Sequence, residues 1–207
     1  MPRRKEDFIK QVEERKETIY KAALPLFSLK GYDSVSIDDI TKSAKCSHGL
    51  FYHYFNSKQD LFVNMMTLIK KRWEEGLKDL NMDQKPLFAL RDITRFYFSH
   101  LLKDDEDAYI LYLFLTFNLQ KKLPKPKNKP TKEQLRKKPF VRIHEIINEG
   151  QEEGIFIKCD SHDLTKLYFS ALEGLAYNRI HLGKNKFKAP DQNVLINMFL
   201  IKEGKDA

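Results

Sequence analysis

Between Ser47 and Tyr54 the chain sets a hydroxyl, two imidazoles, a glycine and two phenols in the order Ser47, His48, Gly49, Leu50, Phe51, Tyr52, His53, Tyr54. The phenols of Tyr52 and Tyr54 can donate to phosphate, and His48 and His53 can donate to phosphate or to base edges. A half-buried core tyrosine is the other reading of Tyr52, and it is compatible with a phosphate contact. Gly49 costs about 1 kcal/mol in a helix relative to alanine. Close approach of the backbone to a partner is a motive for keeping it; a surface glycine without a role is the alternative. Phe51 and Phe55 read as core. Catalytic chemistry has little support: His48, His53, His100, His144, His162 and His181 form no pair at metal-ligand spacing, and neither a nucleophile elbow nor a Gly-rich phosphate loop is present. We expect no catalytic residue, no metal and no cofactor.

Two short helices must position these groups. Ser36 can cap a helix whose inward face is Ile37, Ile40 and Ala44, with Asp38 and Asp39 in a first turn where the helix dipole favours negative charge. Lys45 and Cys46 fill a turn, and Ser47 offers a second N-cap. Two helices joined so tightly cross steeply, in the helix-turn-helix geometry that lays its second helix in a DNA major groove. The Ser47 cap would turn helix N–H groups toward phosphate. Before this unit a helix from about Glu6 to Lys30 ends at Gly31, with Pro25 a source of a kink or of compensation by packing. After it, Ser57 and Asp60 cap a long amphipathic helix through Leu61, Phe62, Met65, Met66, Ile69, Trp73, Leu77 and Leu80. Further helices are expected near Leu87 to Leu102, Glu106 to Gln120, Lys132 to Glu153, Asp163 to His181 and Asp191 to Glu203. The fold class is all-α.

Bulk properties bound the rest. The chain has 207 residues, a formal net charge of +8 and two cysteines. Its longest apolar run, Tyr109 to Phe117, is well short of the ~20 residues a membrane-spanning helix needs. The basic N-terminus lacks the apolar segment of a signal peptide, so a cytoplasmic location is expected. Cys46 and Cys159 fit neither a disulfide framework nor a zinc pattern and read as free thiols, Cys46 as a small buried residue rather than a redox sensor. The charge is localised: Lys121 to Lys138 holds nine Lys or Arg residues and one acid, and the remainder is neutral. That segment reads as a solvated linker extended by its prolines. DNA affinity would then rest on local placement of Arg3, Arg4, Lys5, Lys42, Lys45 and Lys58.

From Arg15 to about Phe62 the chain resembles the TetR family of bacterial transcription regulators. Arg15, Ile19, Ala22, Ala23, Leu26, Phe27, Gly31 and Tyr32 match its first helix and exit. Ile40, Ala44, Ser47, Gly49, Tyr52, Phe55, Ser57, Lys58 and Leu61 match its second and third helices and the start of its fourth. Glu149, Gly150, Gly154 and Phe156 resemble a junction common in the family. Departures stand at Lys45, where glycine is usual, at Cys46 for valine, at His48 for lysine and at Leu50 for a small hydroxyl residue. A positive φ at Lys45 would strain the turn by on the order of 1 kcal/mol.

The resemblance implies an N-terminal three-helix helix-turn-helix DNA-binding domain over residues 12–72, with the motif at 36–55, and a C-terminal helical ligand-binding and dimerisation domain over 73–207. It implies DNA contacts from Ser36, Lys45, Ser47, His48, Gly49, Leu50, Tyr52, His53, Tyr54 and Lys58. Spacing alone leaves Lys58 as a solvated lysine equally well. The aromatic-rich stretch from Leu87 to Phe117 reads by itself as ordinary core. The family places a pocket there for an unknown small-molecule effector, apolar or aromatic, to which Tyr97, His100, Tyr112 and Tyr177 could supply polar groups. Leu164, Leu167, Tyr168, Ala171 and Leu175, with Val194, Met198 and Ile201, suit a two-fold four-helix interface; a monomer whose core uses both faces is the alternative. The expectation is a homodimeric repressor that binds a palindromic double-stranded DNA operator and is released by a ligand, without a membrane partner. A helical enzyme or small-molecule carrier is the rival.

Overall fold

The computed structural model describes residues 2–78, 80–81, 84–119 and 139–201. These form nine helices: α1 Pro2–Lys30, α2 Ile37–Ala44, α3 His48–Tyr54, α4 Lys58–Lys78, α5 Pro86–Lys103, α6 Asp105–Leu119, α7 Pro139–Glu152, α8 Ser161–Leu182 and α9 Gln192–Asn197. The basic segment Lys121 to Lys138 lies outside the described residues. None of the described helices is long and apolar enough to cross a membrane.

Local chemistry explains most boundaries. α1 begins earlier than expected because Pro2 is pre-set for a first helical turn. It ends at Gly31, whose φ of +79° is free of strain without a Cβ and whose N–H donates to Phe27 O at 3.1 Å. Pro25 lies within the helix and does not end it. Pro86 starts α5, and Asp160 caps α8 by accepting from the N–H groups of His162 and Asp163.

One element departs from expectation. α9 stops at Asn197 rather than running to Glu203, because the following residues pair with the chain between α7 and α8. Ile157 N donates to Phe199 O at 2.9 Å and Ile201 N donates to Ile155 O at 3.1 Å, making an antiparallel bridge between Phe156 and Leu200. The Phe156 ring is fully buried beneath it.

α6 is the hub, packing against α8, α5, α1 and α4, while α1 packs on α2 and α5 on α7. A continuous apolar core runs from Ile19 in α1 to Phe199 after α9. The N-terminal and C-terminal helices therefore share packing. Phe62 on α4 meets Phe117 on α6 with ring centroids 4.8 Å apart. An ion pair reinforces the join: Arg72 on α4 donates to Asp107 at 2.7 Å, and Lys103 on α5 reaches the same carboxylate at 2.6 Å. Asp107 is 1% exposed, so both cations compensate a carboxylate removed from water.

Candidate nucleic-acid interface and buried aromatic site

The turn between α2 and α3 is built from two serine caps. Ser36 Oγ accepts from Asp39 N at 3.1 Å while Ser36 N donates to Asp39 Oδ2 at 2.9 Å, closing a reciprocal box. Hydrogen bonds from the Ser36 hydroxyl and then from its backbone N–H hold the Asp39 carboxyl below its ordinary pKa. Ser36 is thus committed to its own cap. Ser47 Oγ accepts from Leu50 N at 3.1 Å and starts α3.

Lys45 stands between the caps at φ 51°, ψ 45°, in the left-handed region. Its N–H donates to Lys42 O, and Cys46 N donates to Thr41 O at 3.0 Å, a helix stop that glycine normally supplies. Cys46 is half-buried, and burial pushes its thiol pKa up. Lys45→Gly is expected to stabilise the chain by about 0.5–1 kcal/mol, because relief of ~1–2 kcal/mol of strain exceeds the extra freedom given to the unfolded chain. Thermal melting at fixed protein concentration should register a rise of about 2–4 °C per kcal/mol; an unchanged or lower midpoint would refute strain at this turn.

α3 has two faces. Phe51 and Phe55 are buried at 0% and 2% exposure, whereas Ser47, His48, Gly49, Tyr52 and His53 are exposed. Tyr52 is 54% exposed, which decides against its reading as a core tyrosine. Leu50 and Tyr54 lie at the flank, Tyr54 against the core and edge-on to His53. A Cβ on Gly49 would meet nothing nearer than Ser47 Oγ at 3.8 Å, so nothing within the chain requires glycine there.

Two groups in the expected DNA-contacting set have internal partners that spacing did not reveal. His48 Nε2 lies 2.5 Å from Asp38 Oδ1, tying the head of α3 to α2. Lys58 does not stand free as a solvated side chain. Its ammonium donates to Tyr32 O at 2.8 Å and Val35 O at 2.7 Å, over the Tyr32 ring at 4.4 Å from the centroid. Two carbonyls and an aromatic face offset the cost of a cation at the N-terminus of α4.

In the C-terminal half the four polar candidates separate. Tyr97 is fully buried with its ring stacked on Trp73 at 5.4 Å, and His100 lies 4.6 Å from the same indole. Tyr112 and Tyr177 meet each other at 6.1 Å, and Tyr177 is half-exposed and stacks on His181 at 4.0 Å. The helical period accounts for the split. Phe114 of α6 faces Trp73, and Tyr112, two residues earlier, points some 200° around the helix. The structure therefore assembles Trp73, Phe96, Tyr97, His100 and Phe114 into an aromatic box, of which sequence reasoning named only Tyr97 and His100. Gly76 helps: the Phe96 ring lies 2.8 Å from where its Cβ would stand.

The expected dimer residues also divide. Leu164 and Tyr168 face their own core, Tyr168 Oη lying 2.9 Å from Thr94 Oγ1, so neither belongs to an outer surface. Leu172, Phe169, Ala176 and Ile180 are buried too, so much of α8 packs inward. What remains outside is Leu167, Val194, Met198 and Ile201, with Leu167 63% and Met198 66% exposed, while Ala171 and Leu175 are half-buried against the core. Gly174 continues that face, and a Cβ there would touch nothing within 4 Å. Among the described residues no three His, Cys, Asp or Glu side chains are grouped to hold a metal ion.

Residues 19–65, which include the two caps and the whole of α3, match the sequence profile of the bacterial regulatory proteins of the tetR family. Similarity to known helix-turn-helix-type regulators continues beyond that segment. The chain is 29% identical over 147 residues to the transcriptional repressor NicS of Pseudomonas putida, covering 70% of this chain and 68% of that one. The helix-turn-helix segment is that of the tetR-family regulatory proteins. Two further relatives are the helix-turn-helix-type regulators IcaR of Staphylococcus epidermidis, a negative regulator of a biofilm operon, 25% identical over 90% of this chain and 100% of its own, and QacR of Staphylococcus aureus, 24% identical over 77% and 83%. The course of the helices is shared with the solved structure of HlyIIR, a hemolysin II transcriptional regulator, at a TM-score of 0.61 and 21% identity over 92% of this chain and 99% of that one.

Proposed function

We propose that the chain is a TetR-family transcriptional regulator, a cytoplasmic repressor that binds a palindromic operator as a homodimer and leaves it when a small apolar or aromatic molecule binds the C-terminal helices. The observation that carries the reading is the division of α3 into a buried Phe51–Phe55 face and an exposed face of Ser47, His48, Gly49, Tyr52 and His53. Residues 12–72 serve as the DNA-reading domain and 73–207 as the effector and dimerisation domain. Within the DNA contact, Tyr52, His53 and Gly49 act directly, with Lys45 and Leu50 beside them. Ser36, Ser47 and Lys58 set the helices in place, and His48 works while held by Asp38. The exposed apolar face of Leu167, Val194, Met198 and Ile201, with Gly174 allowing close backbone approach, supports pairing of α8 and α9 with a second copy. Two reading heads related by a two-fold axis then match a two-fold site.

Binding-site selection with the purified chain, followed by titration of the selected duplex against random duplex at moderate salt, tests this reading. Strong preference for one palindrome is expected; equal affinity for both duplexes would end it. Tyr52→Ala should weaken specific binding by about tenfold or more, the scale of one lost hydrogen bond to a charged group. Its melting temperature should hold, because the side chain is largely outside the core. A variant that kept full operator affinity would remove Tyr52 from the interface.

A further inference from the structure

Two donors in the aromatic box have nothing to donate to. Trp73 Nε1 and the Tyr97 hydroxyl are buried, their residues 2% and 0% exposed, and neither finds a partner among the described residues. Buried polar groups are almost always paired, since an unpaired one loses its water and gains nothing in return. The neighbouring buried phenol obeys that rule: Tyr168 meets Thr94 Oγ1 at 2.9 Å. Tyr97 and Trp73 break it together, on rings stacked at 5.4 Å with 27° between their planes.

The surroundings narrow what could satisfy them. Phe114 covers the indole at 4.8 Å, and Phe96 and His100 close its edge at 5.0 and 4.6 Å. His100 Nδ1 lies 3.0 Å from Phe96 O; a carbonyl only accepts, so this nitrogen carries the proton. Burial pushes the Tyr97 phenol well up, so it stays a neutral donor. A buried anion would meet two neutral donors and no fixed positive charge on these rings, a poor return for its lost hydration. An organic cation would gain the ring faces and still leave both donors unpaired.

We propose that the effector is a neutral, planar aromatic molecule bearing a hydrogen-bond acceptor of the ketone or quinone carbonyl class, which accepts from Trp73 Nε1–H and Tyr97 O–H. This rests on the reading of the C-terminal helices as an effector-binding unit. Phe96 and His100, the half-buried members of the box, are the rings that yield to admit it. Because Trp73 belongs to α4, the bound carbonyl acts on the helix that carries the reading head.

The chain contains one tryptophan, so its indole N–H gives a single cross-peak in a 15N–1H spectrum of the full-length protein. Acetophenone should move that peak downfield, and ethylbenzene, of similar shape without an acceptor, should not. Benzyltrimethylammonium and benzoate should bind at least about tenfold more weakly than acetophenone, the difference expected for one hydrogen bond. Tyr97→Phe should weaken acetophenone about tenfold and leave ethylbenzene unchanged. The same variant should melt about 2–4 °C higher without ligand, since it deletes a buried hydroxyl that has no partner. If ethylbenzene or the cation binds as tightly as acetophenone, or Tyr97→Phe binds acetophenone unchanged, the effector site stands and the proposed class is overturned. If none of the four probes perturbs the indole peak, both the class and the box as effector site are overturned.

Discussion

Trp73→Ala is expected to destabilise the protein by roughly 3–5 kcal/mol, the range for deleting a large buried aromatic side chain. The indole is stacked between Tyr97 and Phe114 and met at its edge by Phe96 and His100, so truncation leaves a cavity walled by rings on α5 and α6 that cannot collapse without moving helices. Unlike loss of an aliphatic residue at a domain edge, this one loosens α4 from α5 and α6 together, toward its C-terminal end. Trp73→Phe should retain about half the lost stability or more, because a smaller ring still fills part of the stack. Denaturant unfolding followed by far-ultraviolet circular dichroism, at fixed protein concentration, measures both. A loss below about 1 kcal/mol for the alanine variant would contradict the packing.

Gly150→Ala should be the most damaging addition of a single methyl group. Its Cβ would lie 2.1 and 2.3 Å from two carbons of the Phe156 ring, far inside van der Waals contact. The ring has no exit, being fully buried, while Gly150 O accepts from both Ile155 N at 2.8 Å and Phe156 N at 3.0 Å and so fixes the backbone on either side. Overpacking of this kind costs about 1–3 kcal/mol and more where nothing can shift. A second substitution separates steric conflict from lost helix geometry. Phe156→Ala alone should cost about 3–5 kcal/mol, yet in its presence Gly150→Ala should cost nothing further or add stability through better helix propensity. That non-additivity, read from equilibrium unfolding of the four chains, is the signature of direct contact. Additive losses would show that the two residues do not meet.

Local chemistry made much of this fold legible. Ser36 and Ser47 announce α2 and α3 because a cap acts within three residues of itself. The apolar positions Leu61, Phe62, Met65, Met66, Ile69, Trp73 and Leu77, read from helical spacing, are all buried on α4. The left-handed turn at Lys45 was visible once a glycine was expected there. What spacing could not supply are the partnerships between distant residues. Nothing near Lys58 points to the carbonyls of Tyr32 and Val35, and nothing near Arg179 points to Asp105, which its guanidinium meets at 2.8 Å. The same limit explains the tyrosines. Tyr97, His100, Tyr112 and Tyr177 are all aromatic or polar in an apolar stretch, and only the rotation of α5, α6 and α8 about their own axes decides which share a box. It also explains the short α9, whose continuation is drawn into a bridge by Ile155 and Ile157, far upstream in the chain.

The two anchors of α4 have a mechanical consequence. Near its start Lys58 grips the carbonyls that link α1 to α2, so the reading head is bolted to that end of the helix. Roughly 22 Å further along, at 1.5 Å rise per residue, Arg72 and Trp73 are clamped to α5 and α6. The helix between them is a lever whose fulcrum is the buried carboxylate of Asp107. A tilt of about 5° at the aromatic end carries the bolted end through about 2 Å over that length. In the proposed two-fold pair the displacements of both heads would add, so a side-chain rearrangement too small to alter the fold would be enough to put one recognition helix out of step with the next turn of the groove.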